Sequence, residues 1–337
     1  MSRVTVLGAG AWGTAIALWL ARQPGHRVTL WGHSPGHCAE MLAERENRKY
    51  LPGHALPTGL EITSDLEAAA RGDSPEILIT VVPSQHTRAH LVRLAPLLGS
   101  GQTLVSATKG LEDSSYLRMS QVLAEVLRDH ALELPIGVLS GPSFAQEVAA
   151  GLPAAVTIAF PRMEDAARVQ ALFSTPSLRL YRNDDVIGVE LGGALKNVIA
   201  IAAGAVSGSG FGHNATAALM TRGIAETTRL ALACGGRSET LAGLSGVGDL
   251  VLTCTGSLSR NRLVGMELGR GRELAEILAS LGGKVAEGVR TTAAALGLAA
   301  RHGVDMPITR QVAAVLRGER SPHDAMQELM SRASRGE

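Results

Sequence analysis

The chain has 337 residues, long enough for two domains, with 45% hydrophobic and 19% charged residues, the proportions of a globular protein. A net charge of +1 supplies no broad field for nucleic acid or an anionic membrane, so neither is expected as a partner. Cys38, Cys234 and Cys254 are odd in number and lack a C-x-x-C pair, which suggests reduced thiols in a cytoplasmic protein rather than a disulfide framework or a zinc site.

The opening residues run at once into an apolar, β-branched strand, Val4-Thr5-Val6-Leu7, with none of the architecture of a secretory signal. Gly8, Gly10 and Gly13 follow at G-x-G-x-x-G spacing, and residues 14–20 read as a helix. Strand, tight turn and helix in that order give each glycine a task. Gly8 permits the turn, Gly10 lets a pyrophosphate approach the backbone, and Gly13 lets the helix pack on the strand. The N–H groups and dipole at the helix start complete a dinucleotide site. Residues 26–31 form the second strand pattern, ending in Trp31-Gly32-His33-Ser34. An acid here would bind a ribose 2′-hydroxyl and repel a 2′-phosphate, so its absence leaves NADP open. His33 is either the nearest partner for that phosphate or a solvent-exposed loop histidine.

A continuous apolar run at 77–82 reads as a strand buried on both faces of a parallel sheet, and further strands are expected at 103–107, 136–139, 155–160 and 178–181. Helices are expected at 87–98 and 164–173. Ligands of such sheets sit beyond the carboxyl ends of the strands, where Lys109, Gly141 and Ser143 fall. From Val186 the strand patterns stop. Asn183, Asp184 and Asp185 can cap a helix over 186–205, and Asn214 another over 215–233. Further helices are expected at 260–268, 273–280, 291–301, 308–316 and 322–330. The expected domains are therefore a dinucleotide-binding unit, 1–185, and an all-helical substrate unit, 186–337. The longest apolar run, 198–211, is too short to span a bilayer.

The helix from Val186 is apolar almost throughout yet carries Glu190, Lys196 and Asn197. Burying a lysine there is costly without a purpose. The reading is proton transfer, against a structural ion pair with Glu190 or Asp249. Asp249, in the turn Leu244-Ser245-Gly246-Val247-Gly248-Asp249, either steadies Lys196 and substrate hydroxyls or caps a helix. Ser259 can cap the helix that Arg260 opens, which suits a phosphate; the plain alternative is an exposed capping segment. Gly282-Gly283-Lys284-Val285-Ala286-Glu287-Gly288-Val289-Arg290 is a glycine-rich loop and helix start. The remaining histidines have no ligand spacing, so no metal is expected.

Taken together, these segments resemble the bacterial NAD(P)-dependent glycerol-3-phosphate dehydrogenases. The resemblance rests on Gly8-Ala9-Gly10-Ala11-Trp12-Gly13, Ala107-Thr108-Lys109-Gly110-Leu111-Glu112, Ser140-Gly141-Pro142-Ser143-Phe144-Ala145, Glu190-Leu191-Gly192-Gly193-Ala194-Leu195-Lys196-Asn197-Val198, Gly248-Asp249-Leu250 and Ser259-Arg260-Asn261, in that order, from about residue 3 to residue 316. It implies an α/β protein: a Rossmann-type parallel-sheet domain followed by an all-α domain like the C-terminal domain of 6-phosphogluconate dehydrogenase. It implies interconversion of dihydroxyacetone phosphate and sn-glycerol 3-phosphate, the phospholipid backbone, with NADPH favoured over NADH. Lys196 would exchange the proton at the C2 oxygen. Lys109, Gly141, Ser143, Asp249, Ser259, Arg260 and Asn261 would bind substrate. Gly8, Gly10, Ala11, Trp12, Gly13, His33, Ala145, Val285 and Glu287 would hold the dinucleotide, with Lys109 and Arg260 touching both. Many members have Ser where this chain has Ala11, which removes one hydroxyl contact. A 3-hydroxyacid or 6-phosphogluconate-type dehydrogenase is the alternative enzyme, and a dinucleotide-sensing module the non-enzymatic one. The apolar helices of the second half could bury a homodimer face.

Overall fold

The computed structural model describes residues 2–72, 75–282 and 285–332; Gly283 and Lys284 of the second glycine-rich loop lie outside them. Contacts divide the chain into two compact units, residues 1–109 with 119–186, and residues 110–118 with 187–337. Nothing in the sequence pattern marks the short excursion 110–118.

The first unit is built on an eight-stranded sheet. Its strands and helices run β1 Ser2–Leu7, α1 Ala11–Ala21, β2 His26–Trp31, α2 Pro35–Glu44, a two-stranded hairpin β3 Glu46–Asn47 and β4 Leu51–Ala55, β5 Glu61–Thr63, α3 Leu66–Arg71, β6 Ile77–Thr80, α4 Ser84–Leu94, β7 Thr103–Ser106, α5 Met119–Asp129, β8 Ile136–Ser140, α6 Ala145–Ala149, β9 Ala154–Ala159, α7 Met163–Phe173 and β10 Leu178–Asn183. The strand order is β10-β9-β8-β7-β6-β1-β2-β5. Its β5-β2-β1-β6-β7-β8 stretch is the doubly wound dinucleotide-binding order, with the switch point between β1 and β6. Strands β5, β2, β1, β6, β7 and β8 pair in parallel. Strand β9 runs antiparallel to β8, and β10 is parallel to β9. The apolar run of β9 reads the same in either direction, so its sequence carries no sign of this reversal.

Alternation on the buried strands feeds two cores. Val4, Val6, Ile77, Ile79 and Val105 meet α1, α6 and α7 on one face. Leu7, Leu78 and Leu104 meet α3, α4 and α5 on the other. Helix α4 begins three residues before its expected start and gives way to a 3-10 turn, Ala95–Leu97, at Pro96. Pro96 cannot donate the next helical bond. Helix α5 has the spacing Val122, Leu123, Val126 and Leu127, all buried.

The second unit is helical: α8 Val186–Gly208, α9 His213–Ala233, α10 Ser238–Ala242, α11 Asp249–Thr255, α12 Arg260–Gly269, α13 Leu274–Ser280, α14 Glu287–Arg301, α15 Pro307–Leu316 and α16 Pro322–Met330. Asn214 lies inside the first turn of α9, and Gly212 takes the cap position it was expected to fill. Helix α8, at 23 residues, is long and apolar enough to cross a membrane, which the shorter apolar run of sequence did not suggest; 83% of its most apolar window is buried inside the protein, as in a core helix. Glycines set how closely α12 approaches it. A Cβ on Gly204 would lie 2.0 Å from the Arg262 carbonyl oxygen, and one on Gly265 1.9 Å from that of Ile201. Small residues four apart on both helices (Gly204 and Gly208, Gly265 and Gly269) allow backbone contact, and that contact brings the start of α12 against the middle of α8.

Candidate active site

In the first unit the three glycines of the opening loop occupy the positions their spacing assigns. Gly8 has φ +127°, a region that disfavours side chains, and a Cβ there would meet the Val81 carbonyl oxygen at 3.0 Å. A Cβ on Gly13 would fall 1.9 Å from the Gly8 carbonyl oxygen. At Gly10 a Cβ would meet nothing within 4 Å, so this face of the loop is open to a ligand. The amides of Ala11, Trp12 and Gly13 form the first turn of α1, where N–H groups lack helical partners. The Trp12 indole N–H is buried without a hydrogen-bond partner. An open cradle of backbone donors fits a pyrophosphate.

At the end of β2, Trp31 is buried, His33 is exposed, and Ser34 caps α2 by accepting from the His37 N–H. The strand end, residues 31–34, carries no carboxylate. Beyond β7 and β8, Lys109 Nζ donates to the Gly141 carbonyl oxygen at 3.2 Å, and Ser143 Oγ to the same oxygen at 3.0 Å. Thr108 Oγ1 donates to Val82 O at 2.7 Å, tying the end of β7 to that of β6. Gly141 has φ +137°, and a Cβ there would press on Val156 Cα at 3.0 Å. Ala145 opens α6 and packs on the core. Lys109, Gly141 and Ser143 thus form one group at the carboxyl edge of the sheet.

In the second unit, Lys196 is 8% exposed in the middle of α8. Its ammonium donates to Asp249 Oδ1, and to Thr253 Oγ1 at 2.8 Å. Asp249 is fully buried and heads α11; a wide π turn, Leu244–Gly248, precedes it and aims its carboxylate at Lys196. Thr253, one helical turn on, donates to the Asp249 carbonyl oxygen at 2.6 Å. The two open pairings for Lys196 are therefore resolved toward Asp249. Glu190 takes Arg118 instead, at 2.5 Å. Sequence reasoning missed Thr253, although its i,i+4 spacing from Asp249 places both on one face of a helix. The Cys254 thiol beside this group is pushed up to about 12 by burial, with Lys196 and Arg262 opposing, which keeps it an unreactive thiol.

Ser259 caps α12 by accepting from the Arg262 N–H at 3.2 Å. Asn261 donates to Asn197 Oδ1 at 2.9 Å and accepts from the Gly288 N–H at 2.9 Å, joining α8, α12 and α14. Arg260 is exposed in the first turn of α12, and Glu287 opens α14. Val285 is half-buried just before α14. Among the described residues, no three His, Cys, Asp or Glu side chains are grouped to hold a metal ion.

A doubly wound unit with an open glycine loop at its switch point, and a helical unit with a buried lysine on a carboxylate, define a dinucleotide-dependent dehydrogenase. Residues 3–166 match the model of the NAD-dependent glycerol-3-phosphate dehydrogenase N-terminus, and residues 185–327 that of its C-terminus. Glycerol-3-phosphate dehydrogenase [NAD(P)+] of Acidobacterium capsulatum is 62% identical over 338 residues, covering 100% of both chains. That of Koribacter versatilis is 54% identical, covering 99% of this chain and 98% of its own. The crystal structure of glycerol-3-phosphate dehydrogenase from Coxiella burnetii superposes with a TM-score of 0.93 at 41% identity, over 98% of this chain and 99% of that one. A ketopantoate reductase from Ralstonia eutropha, 18% identical with a TM-score of 0.58 over 96% of this chain and 99% of its own, shares the fold. The chain belongs to the NAD(P)-dependent glycerol-3-phosphate dehydrogenase family, an oxidoreductase family served by NADH or NADPH.

Proposed function

We propose that this chain reduces dihydroxyacetone phosphate to sn-glycerol 3-phosphate for glycerophospholipid synthesis, in the cytoplasm, with Lys196 as the proton donor. The observation that carries the reading is the Lys196 ammonium, buried in an apolar helix and held on Asp249 and Thr253. The dinucleotide, when bound, supplies the hydride to C2. As negative charge develops on the C2 oxygen, the Lys196 ammonium gives it a proton, and the fixed carboxylate of Asp249 keeps that ammonium oriented and charged beforehand. Lys109, held on Gly141, adds positive charge and reaches both substrate and dinucleotide, with Gly141 and Ser143 lining the substrate. Ser259, Arg260 and Asn261 at the start of α12 take the substrate phosphate, a non-reacting handle that aligns C2. Gly8, Gly10, Ala11, Trp12, Gly13, His33, Ala145, Val285 and Glu287 line the dinucleotide, with Arg260 reaching it as well. The carboxylate-free end of β2 and exposed His33 favour NADPH over NADH. Exposed apolar side chains of the helical unit, Val247, Val251 and Leu258 among them, support a homodimer, to be checked by light scattering on the eluting species.

The test follows NADPH and NADH oxidation in parallel with dihydroxyacetone phosphate. Turnover faster with NADPH is expected. In Arg260→Ala the KM for dihydroxyacetone phosphate should rise at least tenfold. Turnover of 3-hydroxyacids in place of dihydroxyacetone phosphate would overturn the reading.

A further inference from the structure

The hairpin of β3 and β4 follows α2, far in sequence from the glycine loop, yet its Asn47 is fully buried. The Asn47 amide nitrogen donates to the Ala9 carbonyl oxygen at 3.0 Å and to Thr14 Oγ1 at 2.8 Å; its oxygen accepts the Tyr50 N–H at 3.2 Å. Thr14 is itself fully buried in α1. The hairpin is pinned on both flanks. His54 Nε2 lies 2.8 Å from Gln146 Oε1 on α6, and the Glu46 carboxylate accepts the Gly53 N–H at 2.8 Å. Arg45, in a left-handed conformation, binds the carbonyl oxygens of Leu56, Pro57 and Leu60.

The loop Gly8-Ala9-Gly10 has one methyl group to hold it in place, so its peptide orientations must be fixed from outside. A trans peptide is planar, with its C=O and N–H pointing in opposite directions. A donor that anchors the Ala9 oxygen in the interior therefore turns the Gly10 N–H the other way, toward the face where a Cβ on Gly10 would meet nothing. We infer that Asn47 is a positioning residue for the dinucleotide: it sets the Ala9–Gly10 peptide so that the Gly10 N–H meets the pyrophosphate. The inference rests on the reading of this loop as the dinucleotide site.

Asn47→Ala, Asn47→Asp and Thr14→Val test it, through NADPH affinity by titration calorimetry, steady-state kinetics and melting temperature. The carboxylate introduced by Asn47→Asp keeps the shape and the acceptor but cannot donate to Ala9. For both Asn47 variants the Kd and KM for NADPH should rise about tenfold, a loss of ~1.4 kcal/mol. Turnover at saturating NADPH, and the KM for dihydroxyacetone phosphate, should stay within about twofold. Thr14→Val removes one of two acceptors and should raise the NADPH Kd less, about threefold, in a protein that folds. A lower melting temperature with an unchanged NADPH Kd would assign Asn47 to the fold alone and overturn the inference. Should the Asn47 variants fail to fold, an unchanged Kd in Thr14→Val overturns it equally. A wild-type enzyme that fails to bind NADPH would instead refute the dinucleotide site itself.

Discussion

Replacing Lys196 with methionine separates what the ammonium does for the reaction from what it does for the fold. The side chain keeps its length but loses its charge, and Asp249, 0% exposed, is left as a buried anion facing an alkyl chain. Removing one partner of a buried ion pair costs ~3–5 kcal/mol. Asp249→Leu strands the ammonium and should cost a similar amount. The double variant, Lys196→Met with Asp249→Leu, buries neither charge and should lie within ~1–2 kcal/mol of wild type, because apolar replacement of a whole buried pair is often neutral. The coupling between the two sites is then several kcal/mol, far above the ~0.5 kcal/mol within which independent sites add. Unfolding in urea must be followed by far-ultraviolet circular dichroism, because Trp12, Trp19 and Trp31 all lie in the first unit and report only on it. The folded double variant then serves the kinetic measurement. If Lys196 is the proton donor, as proposed, its loss should lower kcat by ~10²–10⁴, with the NADPH Kd unchanged. Additive stability losses would show that the pair is not an energetic unit. Turnover of Lys196→Met within tenfold of wild type would remove Lys196 from proton transfer.

Three other outcomes test separate parts of the structure. Gly13→Ala forces a Cβ to 1.9 Å from a backbone oxygen and should cost ~3 kcal/mol or more, whereas Gly10→Ala, with open space, should stay within ~1 kcal/mol in stability yet weaken NADPH at least tenfold; equal stability losses would refute the assignment of the loop faces. His90 is buried against Trp31, ring centres 4.7 Å apart, and burial, aided by Arg93, pushes its pKa down to about 4. The unfolded chain takes up a proton near pH 6.5 and the folded chain does not, so no penalty exists above that pH. Between pH 6.5 and 4 stability falls by up to ~1.4 kcal/mol per pH unit, ~3 kcal/mol in all. His90→Phe should remove that part of the slope in urea unfolding, and an unchanged slope would refute it. Glu226, fully buried on α9, accepts the N–H groups of Ile308 at 2.8 Å and Thr309 at 2.9 Å and so caps α15. Glu226→Gln turns one of these acceptors into a donor and should cost ~1–3 kcal/mol by thermal melting, with no change in the KM for either substrate.

The parts of this fold legible in the sequence are those whose signal is local. The β1 run, the glycine spacing after it and the Ser259 cap each occupy fewer than a dozen consecutive residues, and the pattern that reveals each is complete within that window. The direction of β9 was not legible, because hydrophobic content fixes burial and leaves strand polarity to the connections. Nor was the assignment of residues 110–118 to the helical unit. That segment is held there by contacts distant in sequence: Arg118 on Glu190, Arg290 on Asp113 at 2.9 Å, and the Tyr116 ring packed where a Cβ on Gly297 would lie 2.3 Å from it. Asn47 was invisible for the same reason, since a buried asparagine looks like any turn residue until its two acceptors are known.

Helix α8 shows how the two kinds of information meet. Its apolar sequence made Glu190, Lys196 and Asn197 conspicuous, because each polar group buried without a partner costs several kcal/mol in an apolar medium. That argument establishes that partners exist but says nothing of which they are. The structure supplies a different one for each: Arg118 for Glu190, Asp249 with Thr253 for Lys196, and Asn261 for Asn197. Arg118 and Asn261 have their own holds on the fold, through the 110–118 segment and through Gly288. The lysine is therefore aimed by a framework that its own helix does not contain. The proposed proton transfer needs the ammonium placed to within a fraction of an ångström of its acceptor, and a long flexible side chain achieves this only when its charged end is fixed from outside.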